Sequence, residues 1–363
     1  MDFETFKESI KNAIKDYLPE AYQDAQVEIR DNAKINETYT GLFVQRADSV
    51  ITPTINLDAI YEQFSEHDMM SMSDILEQMA DMIQQAAPEI DVQKLTNYEQ
   101  AKESLFIRVC AIQGNEQMLA QVPHERHEDL AVTYHIAADI GSDGVASTIV
   151  SNALLNQFGI DQEQLNADAI ANSPKIFPAR IESMANMMRR IMAEDMQAQG
   201  IPQDQMDAML DSMIPADDSN PMTVVTNDRT VNGAAVMFYP EQMEQLGDMM
   251  HGDFFILPSS VHEILIIPDT GDFHHEELKA MVTEINATQV APADRLTDEV
   301  YHFDTKDKVF EKAKTFEDRQ KQKEKAQKME VGSGKKDQQQ MGGQKPKKHK
   351  SNDMLLHYQG SFE

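Results

Sequence analysis

Tryptophan is absent from the 363 residues and cysteine occurs once. With Cys110 alone, no intrachain disulfide forms and no thiolate cluster for zinc or iron–sulfur can be assembled. Cys110 lies in the apolar run Leu105-Phe106-Ile107-Arg108-Val109-Cys110, where a small buried hydrophobe is expected rather than a catalytic thiol. Long apolar runs are also missing. No stretch approaches the roughly 18 residues of a membrane span. The opening Met1-Asp2-Phe3-Glu4-Thr5-Phe6 has neither the basic start nor the apolar stretch of a secretory signal. A cytoplasmic chain is expected, without membrane contact.

Basic residues are scarce as well. Lys and Arg number 32 against 62 Asp and Glu, a net charge of −30, and the mean hydropathy is −0.51. The imbalance is local. Lys306 to Glu363 holds 15 basic and 9 acidic residues, which leaves 17 and 53 in Met1 to Thr305. The body therefore repels polyanions, and no direct binding of nucleic acid by it is expected.

Phosphate loops of the G-x-x-x-x-G-K-[ST] or G-x-G-x-x-G type are absent, as is a G-x-S-x-G elbow. His124-Glu125-Arg126-His127 has two histidines three apart where zincins need four, so a polar loop is expected there. His274-His275-Glu276-Glu277 opens a helix whose first turn suits carboxylates. Asp139 to Gly144 lacks the closing Glu of a calcium loop and reads as a hairpin turn. No cofactor and no metal ligand set is expected.

What is present is periodicity. Phe3, Phe6, Ile10, Ile14 and Leu18 form one stripe of a helix over 2–18. Gln26–Arg30, Thr40–Arg46 and Ser49–Leu57 read as strands, with a turn at Ala47-Asp48 and Pro53 forcing an edge or bulge. Helices follow at 57–65 and 73–85. A helical stretch is expected from Thr96 through Ile112. Leu130, Val132, Tyr134 and Ile136 then alternate with Ala131, Thr133 and His135, and Ser142-Asp143-Gly144 turns into a strand at Val145–Thr148. Gly159 closes a helix and Asp161 caps the next.

Residues 178–213 carry Ile181, Met184, Met188, Ile191, Met192, Met206, Met209 and Met213 at helical spacing, either a buried helical hairpin or a soft surface for partners. A linker at 215–221 precedes strands at 223–226 and 230–238, a helix at 240–250, strands at 254–257 and 262–267, a helix at 275–286 and a strand at 300–303. Alternation groups His262 with Ile264 and Ile266 on a core face. Beyond Thr305 the apolar pattern ends, and a disordered tail with a frayed helix at 308–330 is expected.

The fold class expected is α+β, with antiparallel or mixed sheets, helices on one face, a Met-rich helical insert and a disordered C-terminal tail. The divisions are an N-terminal α+β region at 1–115, a strand pair with Met-rich helices at 116–217, a ββαββαβ unit at 218–305 and a basic tail at 306–363.

Four segments carry a resemblance: Asp129-Leu130-Ala131-Val132-Thr133-Tyr134-His135, Val231-Asn232-Gly233-Ala234-Ala235, Phe254 through Glu263, and Asn286-Ala287-Thr288-Gln289-Val290-Ala291-Pro292. Through them the chain resembles the uncharacterised domain-of-unknown-function family numbered fifty-six eighty-eight, from Gram-positive gut bacteria, over roughly residues 1–305. The resemblance implies an association with mobile genetic elements and assigns no activity. Its polar members are the binding-site candidates Asn232, Ser259, Ser260, His262, Asn286, Gln289 and Arg295, with turn and capping chemistry as the plain alternative. Three functions stay open: a non-enzymatic accessory protein that binds a protein partner, an acidic mimic of nucleic acid, and a hydrolase whose His124, His127, His135 and His262 meet on folding.

Overall fold

The computed structural model describes residues 1–46, 54–66, 70–85, 95–141, 144–214, 222–258 and 260–339. The turn at Ala47-Asp48, Pro53, the Ser142-Asp143 turn, the linker at 215–221, Ser259 and the tail from 340 onward lie outside them. Met1–Lys314 form one compact unit and Thr315 onward a second.

Helix α1, Phe3–Tyr17, begins where Asp2 Oδ1 accepts the Thr5 N–H at 2.9 Å. Its stripe buries Phe6, Ile10 and Ile14. These side chains meet Leu42, Val44 and Ile55 of an antiparallel sheet ordered β1 (Gln26–Lys34), β2 (Glu37–Gln45) and β3 (Thr54–Asn56). Helices α2 (Leu57–Glu66) and α3 (Met72–Gln85) complete that core with Leu57, Ile60, Ile75 and Met79.

A second antiparallel sheet contains β4 (Leu105–Ala111), β5 (His124–His127), β6 (Leu130–Gly141) and β7 (Gly144–Ile149). The helix expected from Thr96 through Ile112 holds over residues 98–104 and gives way to strand β4 from Leu105. An apolar run of this length fits either structure, and pairing along the whole of Leu130–Ile136 decides it. The expected loop at His124–His127 is likewise a strand, paired with Leu130–Thr133. One face of the sheet buries Leu105, Ile107, Val109, Leu130, Val132, Tyr134 and Ile136 against α5 (Gln162–Ile176), which follows α4 (Asn152–Phe158). Gly159 ends α4 at φ 69°, and Asp161 caps α5.

The third sheet runs β13-β12-β10-β11-β9-β8, antiparallel throughout. Its strands are β8 (Ala179–Ser183), β9 (Thr223–Asn227), β10 (Phe254–Leu257), β11 (Ile264–Pro268), β12 (Tyr301–Asp304) and β13 (Val309–Lys312). The inner face shares a core with the second sheet through Val225, Ile256, Ile264, Ile266 and Tyr301. The outer face packs Phe255, Leu257 and Ile267 on Leu278 and Val282 of α9 (His275–Thr288).

Three elements differ from expectation. Ile181 was grouped with the Met-rich helices, but β8 pairs with β9, and Ser183 then caps α6 (Met184–Ala198) through the Asn186 N–H. Residues 230–238 are not a strand: Thr230 and Asn232 sit at φ 55° and 54°, which ends the ladder, and Gly233–Phe238 coil into a 3-10 helix. Beyond Thr305, β13 extends the sheet before helix α10 (Ala313–Gln339). Between these lie α7 (Gln203–Met213) and α8 (Gln242–Met250).

Two polar clusters join the sheets. Asp129 accepts from Tyr301 Oη at 2.7 Å and Thr297 Oγ1 at 3.0 Å, and Lys312 Nζ lies 3.1 Å away. Burial works against this carboxylate, yet the Tyr301 and Lys312 contacts hold its pKa below the usual range. At the tip of the β1–β2 hairpin, Asn36 takes the left-handed φ of 58°. Its N–H donates to Asn115 Oδ1 at 2.7 Å, and its side chain accepts from Asn115 Nδ2 at 2.8 Å. Asn36 Nδ2 also donates to the carbonyls of Ala293 and Arg295 at 3.0 and 2.6 Å.

Asn36→Ala removes side-chain hydrogen bonds and strains the turn, for an expected loss of about 3 kcal/mol in urea unfolding. Asn36→Gly keeps the backbone comfortable and loses about 2 kcal/mol. Equal midpoints for wild type and both variants would show that the clasp contributes nothing.

Candidate functional site

Strand alternation gives the second sheet a second face. Register places Phe106 beside His135, Arg108 beside Thr133, and Ser147 beside Ala137. The face opposite the core therefore carries Arg, Thr, His and Ser, side chains that sheet packing does not require. It is covered. The tip of the β1–β2 hairpin, the turn at Asn232, Val261-His262, and Ala293-Asp294 close over it and leave a cavity of about 710 Å³. Arg108, His135, Ser147, Asn232 and His262 all line it.

Arg108 Nη2 donates to Ser147 Oγ at 3.0 Å, and the guanidinium lies 5.4 Å from the Phe106 ring centre. Its Nε is buried with no acceptor. Among the described residues no carboxylate pairs with it, and burial alone pulls its pKa below the arginine norm. His135 is buried and shares a 3.0 Å hydrogen bond between Nε2 and Thr133 Oγ1. Burial, and after it the charge of Arg108, hold its pKa well below the ordinary histidine value, so the ring is neutral.

His262 is held differently. The backbone N–H of Asn232 donates to Nδ1 at 3.2 Å, so the ring proton sits on Nε2, 3.2 Å from Asp294 Oδ1. Ser260 Oγ accepts the His262 N–H at 2.9 Å. The expectation of a core-facing His262 is corrected: β11 starts only at Ile264, and the His262 side chain keeps 30% of its exposure. Gly233 is required beside this clamp, because a Cβ there would lie 2.1 Å from Thr226 Oγ1 and 2.5 Å from the His262 carbonyl.

The candidates thus separate. Asn232 and His262 face the cavity. Ser260 braces His262 and bridges to Arg295, whose Nε donates to the Val290 carbonyl at 3.2 Å. Asn286 lies apart, donating to the Thr297 carbonyl and Asp298 Oδ1 at 3.1 and 2.6 Å. Gln289 is exposed at the end of α9. Ser259 is outside the described residues. Of the four histidines considered for hydrolysis, His135 and His262 line the cavity, while His124 and His127 lie on β5. Among the described residues no group of three or more His, Cys, Asp or Glu is placed to hold a metal ion.

Arg108, Thr133, His135 and Ser147 were not singled out together from sequence. Only the alternation of β6 hinted at them, by setting Thr133 and His135 on the face opposite Leu130, Val132 and Tyr134.

Comparison with known proteins gives one family, described as "Family of unknown function (DUF5688)", which matches residues 3–305. No curated protein and no solved structure matches the chain.

A neutral buried His135 has a pH signature. The unfolded chain takes up a proton below about 6.5 while the folded ring stays neutral. Stability is therefore full above that pH and falls below it, by up to about 1.4 kcal/mol per pH unit. His135→Gln is expected to lack this slope in urea unfolding between pH 7 and roughly pH 5. Parallel slopes in the two proteins would contradict a neutral His135.

Proposed function

Since the chain belongs to DUF5688, a family of unknown function, we propose from the cavity itself that the protein works by binding a small ligand between its three sheets rather than by turning one over. The observation that carries this is the convergence of Arg108, Ser147, Asn232 and His262 on one cavity from separate parts of the chain. Its volume is in the range of small-molecule sites, roughly 300–1,000 Å³.

The hydrogen bonds favour binding over catalysis. A histidine acting as base needs a free ring nitrogen directed at the proton it removes. His262 Nδ1 is already an acceptor and Nε2 faces Asp294. The hydroxyl paired with His135 belongs to Thr133, which is 0% exposed. Ser147 Oγ accepts from Arg108, and Ser260 Oγ holds the His262 backbone. These groups hold one another in place, as a rigid receptor requires.

A protein-contact role has separate support. Met188, Ile191, Met209 and Met213 on α6 and α7 are 42–57% exposed. Flexible methionine side chains suit a contact surface. No helix among the described residues is long and apolar enough to cross a membrane.

The ligand reading is tested by thermal-shift screening of small molecules against wild type and Val145→Trp, which fills the cavity. A ligand that raises Tm only in the wild type, and is recovered chemically unchanged, is the expected result. Ligands acting equally on both proteins, or converted during incubation, would overturn it. For the contact surface, native cross-linking is expected to lose its protein adducts in a Met188→Ser, Met209→Ser, Met213→Ser triple variant. An unchanged adduct pattern would remove that role.

A further inference from the structure

We propose that the cavity's ligand is an organic monocarboxylate, its carboxylate received by Arg108 and its aliphatic or aromatic body lying against Ile35, Met118, Val145, Ile149 and Val261. This rests on the reading that the cavity binds a small ligand.

The first argument is an unbalanced charge. Burying a cation is costly unless it is paired and hydrogen-bonded. Three other half-buried cations are paired in this way. Arg189 pairs with Asp211 at 2.6 Å, Arg190 with Glu182 at 2.9 Å, and Lys312 with Asp129 at 3.1 Å. Arg108 is more enclosed than a surface arginine, yet it has one neutral hydroxyl and an aromatic face. Its Nε has no acceptor, as is also true of Arg190, so it is the missing carboxylate that sets Arg108 apart. Nothing in the packing of this face demands a guanidinium, since Phe106, Cys110 and Ile149 show that apolar side chains are accommodated there. A carboxylate brought by a ligand supplies what the fold withholds, through the planar fork that matches it.

The second argument is the number of charges. Four charged side chains line the cavity: Arg108 and Lys34 against Glu37 and Asp294. Asp294 is taken by His262, and Glu37 accepts from Asn56 Nδ2 at 3.1 Å. Lys34 Nζ lies over the Tyr39 ring at 5.1 Å. His135 is neutral and adds no further cation. The four charges sum to zero, so the case for a single negative group rests on contact: among the described residues no carboxylate touches Arg108. A phosphate dianion needs more, usually several cations or a cradle of backbone N–H groups. The floor here is strand rather than a helix N-terminus, and its central strand β6 pairs its backbone groups with β4, β5 and β7.

The third argument is the mixed lining. Ile35 and Ile149 pack on the cluster of Cys110, Met118, Leu119 and Val122, which forms an apolar wall beside the charged floor. Such a wall selects a body as well as a head group, as in most small-molecule sites.

The probes are hexanoate, octanoate, phenylpropionate and indole acetate, each with its primary amide, together with phenyl phosphate. They are titrated by calorimetry and thermal shift against wild type, Arg108→Met and Val145→Trp. At least one carboxylate is expected to bind wild type at least about tenfold more tightly than its amide, the equivalent of one charge-assisted hydrogen bond. Arg108→Met is expected to lose that preference while its own Tm without ligand equals or exceeds the wild-type value, because a desolvated charge has been removed. Three results would overturn the proposal: amides that bind as well as acids, phenyl phosphate that binds more tightly than every carboxylate, or an Arg108→Met variant that keeps the preference. A fall in Tm for ligand-free Arg108→Met would assign Arg108 to the fold instead. A neutral ligand that binds wild type and not Val145→Trp would sink the carboxylate and leave the binding site standing. Absence of binding by any probe or screened compound would sink both.

Discussion

A half-buried guanidinium that no carboxylate among the described residues contacts is the constraint around which this cavity is arranged. Arg108 stands on a strand whose other face, through Leu105, Ile107 and Val109, is among the most deeply buried parts of the protein. The β4–β6 ladder fixes its Cα on the face opposite that core. The segments that enclose it come from distant parts of the chain and are themselves fastened by hydrogen bonds: Asn36 to Asn115 and the 293–295 carbonyls, Ser260 to Arg295, and His262 to Asn232 and Asp294. Of these residues, Asn232, His262, Ala293 and Asp294 line the cavity.

The contrast with Asp129 shows how the fold treats a charge it uses for itself. Asp129 is also partly buried, and it receives a phenol, a threonine hydroxyl and a lysine. Its charged form is favoured over the neutral one despite burial. A polar network in a low-dielectric interior stabilises only when its members are satisfied. Measured against Asp129, Arg108 lacks a charged partner among the described residues.

Much of the fold was legible because its signals are local. The α1 stripe, the alternation of β6, the left-handed Gly159 and the Asp161 cap each depend on neighbours within a few residues. What escaped depends on distant partners. The run Leu105–Cys110 is apolar enough for helix or strand, and only β6 decides between them. Ile181 fits a helical stripe until β9 lies beside it. Residues 230–238 have strand composition, but two left-handed residues break the ladder. The site divides along the same line. Asn232 and His262 were visible as polar residues among apolar segments. Arg108 was not, because one arginine in an apolar run resembles an ordinary strand residue until its lack of a partner is seen in three dimensions.

Whole-chain charge pointed the other way. A body with 53 acidic and 17 basic residues should repel anions, and at long range it does. That field is spread over solvent-exposed carboxylates and is screened within about 10 Å at ordinary salt. Inside the cavity the lining charges sum to zero, and the Arg108 guanidinium acts at contact distance, where screening is weak. The acidic surface and an anion-receiving interior are therefore compatible. The first discourages polyanions, whose many charges sample the field over a wide area. The second can still hold a ligand with one charge and an apolar body, whose burial against Ile35, Met118 and Val261 depends on no field at all. Selectivity follows from that division: a surface field that weighs against polyanions leaves a small monocarboxylate only a modest barrier to entry.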